Sequence, residues 1–323
     1  MMKRILVFAA CLLFGLNLSH GVEFSTASVA GKRATVCRVD LRKERLELFV
    51  RDDAGQPFKS FDGVAQWLQP QGRGLLFAMN AGMYHANLAP VGLAIANGKQ
   101  VTPLNLAKGE GNFFLKPNGV FLVSKSGARI VESSEYPALS EPASVATQSG
   151  PLLVRANKIH PAFTPGSDSR LIRNGVGVVS PQTVVFVLSE EPVSFYEFAQ
   201  FFRDELHCPD ALFLDGTVSS LYAPKLKRND KKIDLGPILG ITGEPDAAES
   251  QEPADENNAA QPKATPAKAG EIPDAIPEPG KPGFFRSPFA PDQGLIDARG
   301  MPPGTEVRDP YTQGKIFRLP RDQ

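Results

Sequence analysis

The stretch GVGVVSPQTVVFVLSEEPVSFYEFAQFFRDELHCPDALFLDG, residues 175–216, decides how the fold is read. Two runs rich in valine, 176–180 and 183–188, flank Pro181-Gln182, the pattern of antiparallel strands joined by a tight turn. Ser194 and Glu197 then stand three apart as a capping box. Phe195, Phe198, Ala199, Phe202 and Leu206 recur on one helical face until Cys208-Pro209 ends it. Such an aromatic stripe is a face that a helix buries on its neighbours, not a cofactor box. A last apolar run, 211–214, leads into Asp215-Gly216. Strand, helix and strand make a βαβ unit, so strands 183–188 and 211–214 are expected to run parallel, with Asp215 at a strand's carboxyl end.

Strand 176–180 runs opposite to 183–188, so it begins at the same sheet edge and brings Arg173 and Asn174 towards Asp215. Another apolar run, 75–79, stops at NAGMYH; placed parallel in that sheet, it delivers Asn80 and His85 to the same rim. Ligands of open α/β sheets sit at the carboxyl ends of strands. Elsewhere, ATVCRVDL (34–41) and RLELFV (45–50) alternate apolar and polar residues across a short polar turn and read as a hairpin. Asn97-Gly98 within GLAIANGKQV is the strongest short-range hairpin signal, and Ser126-Gly127 repeats the device. The fold expected is α+β, a single compact domain on a mixed β-sheet with several antiparallel hairpins and at least one βαβ unit.

The two ends differ from this body. Lys3 and Arg4 precede an apolar stretch, 5–18, and Ser19-His20-Gly21 supplies the small residues that favour signal-peptidase cleavage before Val22. The stretch is short for a membrane span, and Cys11 lies in its middle where a lipidated cysteine would follow it. Residues 1–21 therefore read as a signal peptide, the protein as exported to the periplasm or beyond, and no stable membrane anchor is expected. Residues 243–282 are rich in Pro, Ala and Glu with hardly a large apolar side chain, the composition of a disordered linker. Residues 283–323 regain aromatics and a hairpin signal at Thr312-Gln313-Gly314 but are too few for a core; they dock on the domain, contact another component or stay loose. The chemistry is assigned to residues 22–242.

Thirty-five basic residues balance 35 acidic ones, leaving no global field to attract nucleic acid, and no nucleic-acid partner is expected. Outside the leader only Cys37 and Cys208 remain; in an oxidising compartment they either pair or stay as buried thiols. No histidine or cysteine pair has zinc-ligand spacing, and Gly109-Glu110-Gly111-Asn112 lacks the lysine and serine of a phosphate loop, so neither metal nor cofactor is expected. Taken singly, Asp215-Gly216 is an ordinary turn dipeptide, Arg173 a surface cation, His85 a loop histidine and His160 a surface residue.

Six segments in order, FAMNAGMYH, PVGLAIANGK, GNFFLKPNGVF, ATQSGPLLV, RNGVGVV and ALFLDGTVSSLYAP, resemble the phosphodiester glycosidase family in its bacterial exported branch, over roughly residues 36–238. The resemblance implies an α+β domain that hydrolyses a sugar-1-phosphodiester on exported or cell-envelope glycans. It implies Asp215, Arg173 and Asn80 as catalytic residues, and His85, Asn118, Thr147, Ser149, Gly150, Asn174, Gly216 and Ser219 as substrate-binding ones. The family's lysosomal branch has a glycine run after the matching aspartate, whereas Gly216 here is followed by Thr217, Val218 and Ser219, so sugar specificity does not carry over.

The chemistry fits these residue types. An ordinary glycosidase uses two carboxylates, because a sugar alkoxide leaves only when protonated. A departing phosphomonoester is already a stable anion, so a cation and N–H donors matter more than an acid. Arg173 would fork onto phosphate oxygens, and backbone N–H groups at Ser149-Gly150 or Gly216 would form an anion nest. Asp215 would act at the anomeric carbon as nucleophile, as base for water or by stabilising positive charge. Glu110, Asp168 and Glu190 are the nearest alternatives for a second acid. Two other readings use the same rim: a non-catalytic glycan-binding module, and a phosphodiesterase cleaving the P–O bond.

Overall fold

Runs of valine, leucine and phenylalanine separated by tight polar turns favour antiparallel sheets, and the body of this chain is built that way. The computed structural model describes residues 21–231, 233–244, 272–278, 283–290, 295–298, 301–309, 312 and 315–320. In chain order the first strands are β1 Val22–Val29, β2 Lys32–Asp40, β3 Arg45–Phe49, β4 Gly74–Asn80, β5 Ala94–Ala96 and β6 Lys99–Thr102. Then follow β7 Gly119–Ser124, β8 Gly127–Glu132, β9 Val145–Ser149, β10 Leu152–Arg155, β11 Lys158–Ile159, β12 Asn174–Ser180 and β13 Thr183–Ser189. The last four of the body are β14 Asp210–Phe213, β15 Leu221–Ala223, β16 Arg228–Asn229 and β17 Ile238–Gly243. Helices α1 Phe61–Leu68 and α2 Phe195–Gln200 interrupt them.

Three sheets result: β1-β2-β13-β12-β14-β10-β11, β16-β15-β4-β17-β3 and β6-β5-β9-β7-β8. Neighbouring strands in all three pair antiparallel. Strands β13 and β14 run parallel, as the strand-helix-strand reading requires, but β12 lies between them and pairs with both. The sheets share one core, in which Cys37 and Val39 of β2 meet Leu48, Phe77, Met79, Phe121, Phe186 and Leu239. On the other face of the seven-stranded sheet, Val36, Val187 and Phe213 pack under Phe198, Ala199 and Phe202. Helix α1 covers the second sheet by setting Phe61, Val64 and Leu68 against Phe49, Leu75 and Ala78.

Helix α2 forms as its sequence predicts: Glu197 N donates to Ser194 Oγ (3.2 Å), and Ser194 N to Glu197 Oε2 (2.9 Å). Its stem widens into a π-helical turn, Phe201–Glu205, before Cys208. The β5–β6 hairpin turns at Asn97 and Gly98, both with positive φ (49° and 74°); β7–β8 and β12–β13 are hairpins as well. The hairpin expected between 34–41 and 45–50 does not form, because β2 pairs with β1 and β13 while β3 pairs with β17. Strand β2 is buried on both faces, Ala34 and Val36 on one and Cys37 and Val39 on the other, so it takes a place inside a sheet. Run 75–79 is not parallel in the seven-stranded sheet either; it is β4, antiparallel to β15 and β17 in the second.

Cys37 and Cys208 are both free and buried, which settles the open cysteine question for thiols. They pack into the cores on opposite faces of the seven-stranded sheet, so the sheet itself separates them. Burial pushes the Cys208 thiol up to about 12 and raises Cys37 well above its ordinary value.

The expected leader, but for Gly21, and residues 245–271 and 279–282 of the expected linker lie outside the described residues. Further on, β18 Ile276–Pro277, β19 Phe284–Arg286 and β20 Leu295–Asp297 make one small sheet. Strands β21 Glu306–Arg308 and β22 Ile316–Arg318 pair antiparallel, while Gln313 and Gly314 of the expected hairpin signal lie outside the described residues. Ala275, Phe285, Ala298, Phe317 and Leu319 pack together there. Among the described residues no helix is long and apolar enough to cross a membrane.

Candidate active site

The site lies where β14 ends and β12 begins. Leu214 N donates to Asn174 O (3.2 Å), which ties the residue before Asp215 to the one after Arg173. From the second sheet, Asn80 at the end of β4 donates from Nδ2 to the Asp215 carbonyl (3.0 Å). Asn80 thus reaches Asp215 across the gap between sheets. Its Oδ1 accepts from Asn174 Nδ2 (2.9 Å) and Ser220 N (3.0 Å). Ser219 Oγ donates to Gly216 O (3.0 Å), closing a polar bracket around the Asp215 turn.

Asp215 is half-buried, and its Oδ1 accepts from Thr217 N (3.2 Å). Burial raises the carboxyl to about 7, with the Thr217 N–H acting in the opposite direction. Gly216 must be small: a Cβ there would come within 2.9 Å of Phe213 Cζ and 3.0 Å of Ile172 O. Arg173 is 1% exposed. Its Nε donates to Val193 O (2.9 Å), its Nη2 to Ser169 O (3.1 Å), and its guanidinium carbon lies 3.5 Å from the centre of the Phe195 ring. Among the described residues no carboxylate pairs with it, and burial lowers its pKa to about 9, so it stays a cation at neutral pH. Among the described residues Nη1 has no protein acceptor.

A cleft of about 680 Å³ opens here, and Arg173, Asp215 and Gly216 line it with Thr217. Met83, Leu171 and Phe213 give it an apolar side; Glu110, Gly111 and Asn112 form another wall. The other residues implied by the resemblance lie beneath or apart. Ser149 Oγ donates to Leu214 O (2.8 Å), Thr147 Oγ1 accepts from Gly82 N (3.1 Å), and Asn118 Nδ2 donates to Phe113 O (2.7 Å). Gly150 packs on Phe113 O and Asn118, each within 2.7 Å of where a Cβ would stand. These residues, with Asn80, Asn174 and Ser219, form the floor's buried frame and do not line the cleft. His85 is exposed in a turn, its N–H donating to Ala89 O (2.8 Å), and is not a lining residue.

Of the three alternative acids, Glu110 lines the cleft, Asp168 is exposed elsewhere, and Glu190 is held by Thr35 Oγ1 (2.6 Å) and Arg228 (2.5 Å). The sequence does not mark Asn112 as a cleft residue, since its run Gly109-Glu110-Gly111-Asn112 reads only as an incomplete phosphate loop, and it does not mark Met83, Leu171 and Phe213 as an apolar side. A smaller groove of about 350 Å³ near Arg42, Lys43 and Arg45 has Arg42 bonded to Asp40, and Arg45 to Asn97. Among the described residues no three His, Cys, Asp or Glu side chains converge as a metal-binding set.

Residues 73–241 match the family model described as phosphodiester glycosidase. The uncharacterized protein YigE of Escherichia coli (strain K12) is 38% identical over 184 residues, 57% of this chain and 72% of that protein. The catalytic domain of zebrafish N-acetylglucosamine-1-phosphodiester alpha-N-acetylglucosaminidase, auto-inhibited by its pro-peptide, superposes with a TM-score of 0.50 at 15% identity. That match covers 68% of this chain and 81% of the zebrafish one, and at such identity it is a likeness of fold.

Proposed function

Because the chain belongs to the phosphodiester glycosidase family, we propose that it hydrolyses a sugar-1-phosphodiester at the bond between the anomeric carbon and the bridging oxygen. The observation that carries this is Asp215 and Arg173 lining one cleft. A phosphodiester supplies the counter-charge that buried Arg173 lacks, and the guanidinium still has its Nη1 donors to offer. Asp215, with a carboxyl near 7, takes a proton from water as the water oxygen bonds to the anomeric carbon. The carbon–oxygen bond breaks, and its electron pair leaves with the phosphomonoester, an anion that needs no proton to depart. The apolar leader at residues 5–18 supports an exported protein, and hence substrates of the cell envelope or its surroundings.

The test is hydrolysis of a panel of sugar-1-phosphodiesters by the purified protein in water enriched in heavy oxygen. The label is expected on the anomeric hydroxyl of the released sugar. Label in the phosphomonoester would mean P–O cleavage, and binding without turnover across the panel would mean a glycan-binding module; either result overturns the proposal.

A further inference from the structure

Glu110 lines the cleft of Asp215 and Arg173, yet among the described residues no hydrogen bond or ion pair engages its carboxylate. It sits on a short arch fixed at both ends. Upstream, Gln148 clamps Asn105: its Oε1 accepts from Asn105 N (2.9 Å) and its Nε2 donates to Asn105 O (2.7 Å). Downstream, Asn118 holds Phe113 O. Between the anchors, Gly109 packs on the Phe114 ring, where a Cβ would come within 2.7 Å, and Gly111 has a φ of +87°. Both glycines are therefore needed for the shape of the arch. Exposed on the cleft wall without a partner among the described residues, this glutamate keeps both carboxylate oxygens available. They are left to meet a ligand or water.

The ligand's phosphate is a poor match, since two negative charges repel and Arg173, the group suited to phosphate, forms no ion pair with Glu110. A sugar ring is a good match, because hydroxyls donate and a carboxylate accepts through two oxygens. Resting on the phosphodiester glycosidase reading, we propose that Glu110 determines specificity: it accepts hydrogen bonds from hydroxyls of a neutral sugar and repels sugars that carry their own carboxylate.

The experiment compares kcat/KM on glucose-1- and glucuronate-1-phosphodiesters sharing one aglycone, with a galactose and galacturonate pair beside them, for the wild type, Glu110→Gln and Glu110→Ala. Glu110 is exposed, so the wild type is expected to prefer the neutral sugar by about fivefold, the range of an exposed charge pair, and less in high salt. Glu110→Gln is expected to raise KM for the neutral sugar severalfold at nearly constant kcat and to erase most of the preference. An unchanged preference in Glu110→Gln, or a collapse of kcat at constant KM, would overturn the assignment. Wild-type protein that cleaves all substrates without regard to charge refutes the Glu110 role alone, whereas protein that cleaves none refutes the underlying reading and the role with it.

Discussion

Replacing Asp215 by asparagine is expected to stabilise the protein at alkaline pH while abolishing turnover. Burial holds this carboxyl at about 7 in the folded state against an ordinary 3.8, so the folded chain keeps a proton that the unfolded chain releases. The stabilisation from that proton is complete below 3.8 and is lost as pH rises to 7, above which the folded state carries an ionised, desolvated carboxylate. A shift of about three units corresponds to about 4 kcal/mol at 1.36 kcal/mol per unit. The side chain keeps some contact with the cleft, which screens part of this, so 2 to 4 kcal/mol is the working range, to order of magnitude. Asparagine has the same shape, its Oδ1 can still accept from Thr217 N, and it carries no charge to desolvate. Urea unfolding of both proteins from pH 4 to 8.5 reads the difference directly, since titration of the other groups cancels. The two should coincide near pH 4 and diverge by up to about 1.4 kcal/mol per pH unit until about pH 7, the variant being the more stable. A gap independent of pH, or a variant weaker at pH 8, would refute the reasoning. Near-normal turnover by Asp215→Asn would reduce the residue to its turn.

The same carboxyl predicts that kcat/KM falls tenfold per unit as pH drops below about 7, a limb read from a pH-rate profile; activity undiminished at pH 5 would contradict the base role. Arg173→Lys removes the planar fork from Val193 O and Ser169 O and the stacking on Phe195, so about 3 kcal/mol of stability should go. Its KM should rise on a phosphodiester and change little on a sugar with a neutral aryl leaving group; equal effects on the two would exclude a phosphate contact. Cys37 and Cys208 should resist alkylation in the native protein and both react in urea, with no change in the urea midpoint on adding reductant; a mass two hydrogens lighter would reveal a bridge instead.

What could be read of the fold follows the range of the forces involved. The capping box of Ser194 and Glu197, the Asn97-Gly98 turn and the direction of β14 depend on residues close in sequence, and they came out as read. The partners of β2 and β3 depend on which faces become buried by distant strands. The alternation in 34–41 shows two apolar sets but not that both are covered, which is what separates β2 from a hairpin with β3. Helix α1 carries Gly63, a weak helix former, inside it, and the glycine is needed because a Cβ there would come within 2.3 Å of Phe58 O.

The site was legible as a group of residues but not as a division of labour, for a related reason. A polar side chain in an apolar context announces that something must be hydrogen-bonded, not whether that something is a ligand or the chain's own backbone. Strand ends converging on a cleft leave backbone groups without strand partners, and Asn80, Asn118 and Ser149 serve those: the carbonyls of Asp215, Phe113 and Leu214 each receive one of their protons. Having met the backbone's needs, these side chains have little capacity left for a ligand. The opposite condition marks three side chains: among the described residues Arg173 Nη1 has no acceptor, Asp215 Oδ2 has no donor, and the Glu110 carboxylate makes no hydrogen bond or ion pair. Unused hydrogen-bonding capacity on a rigid frame is what a substrate can engage without first breaking the fold, and the charged side chains that line this cleft with such capacity are one cation and two carboxylates.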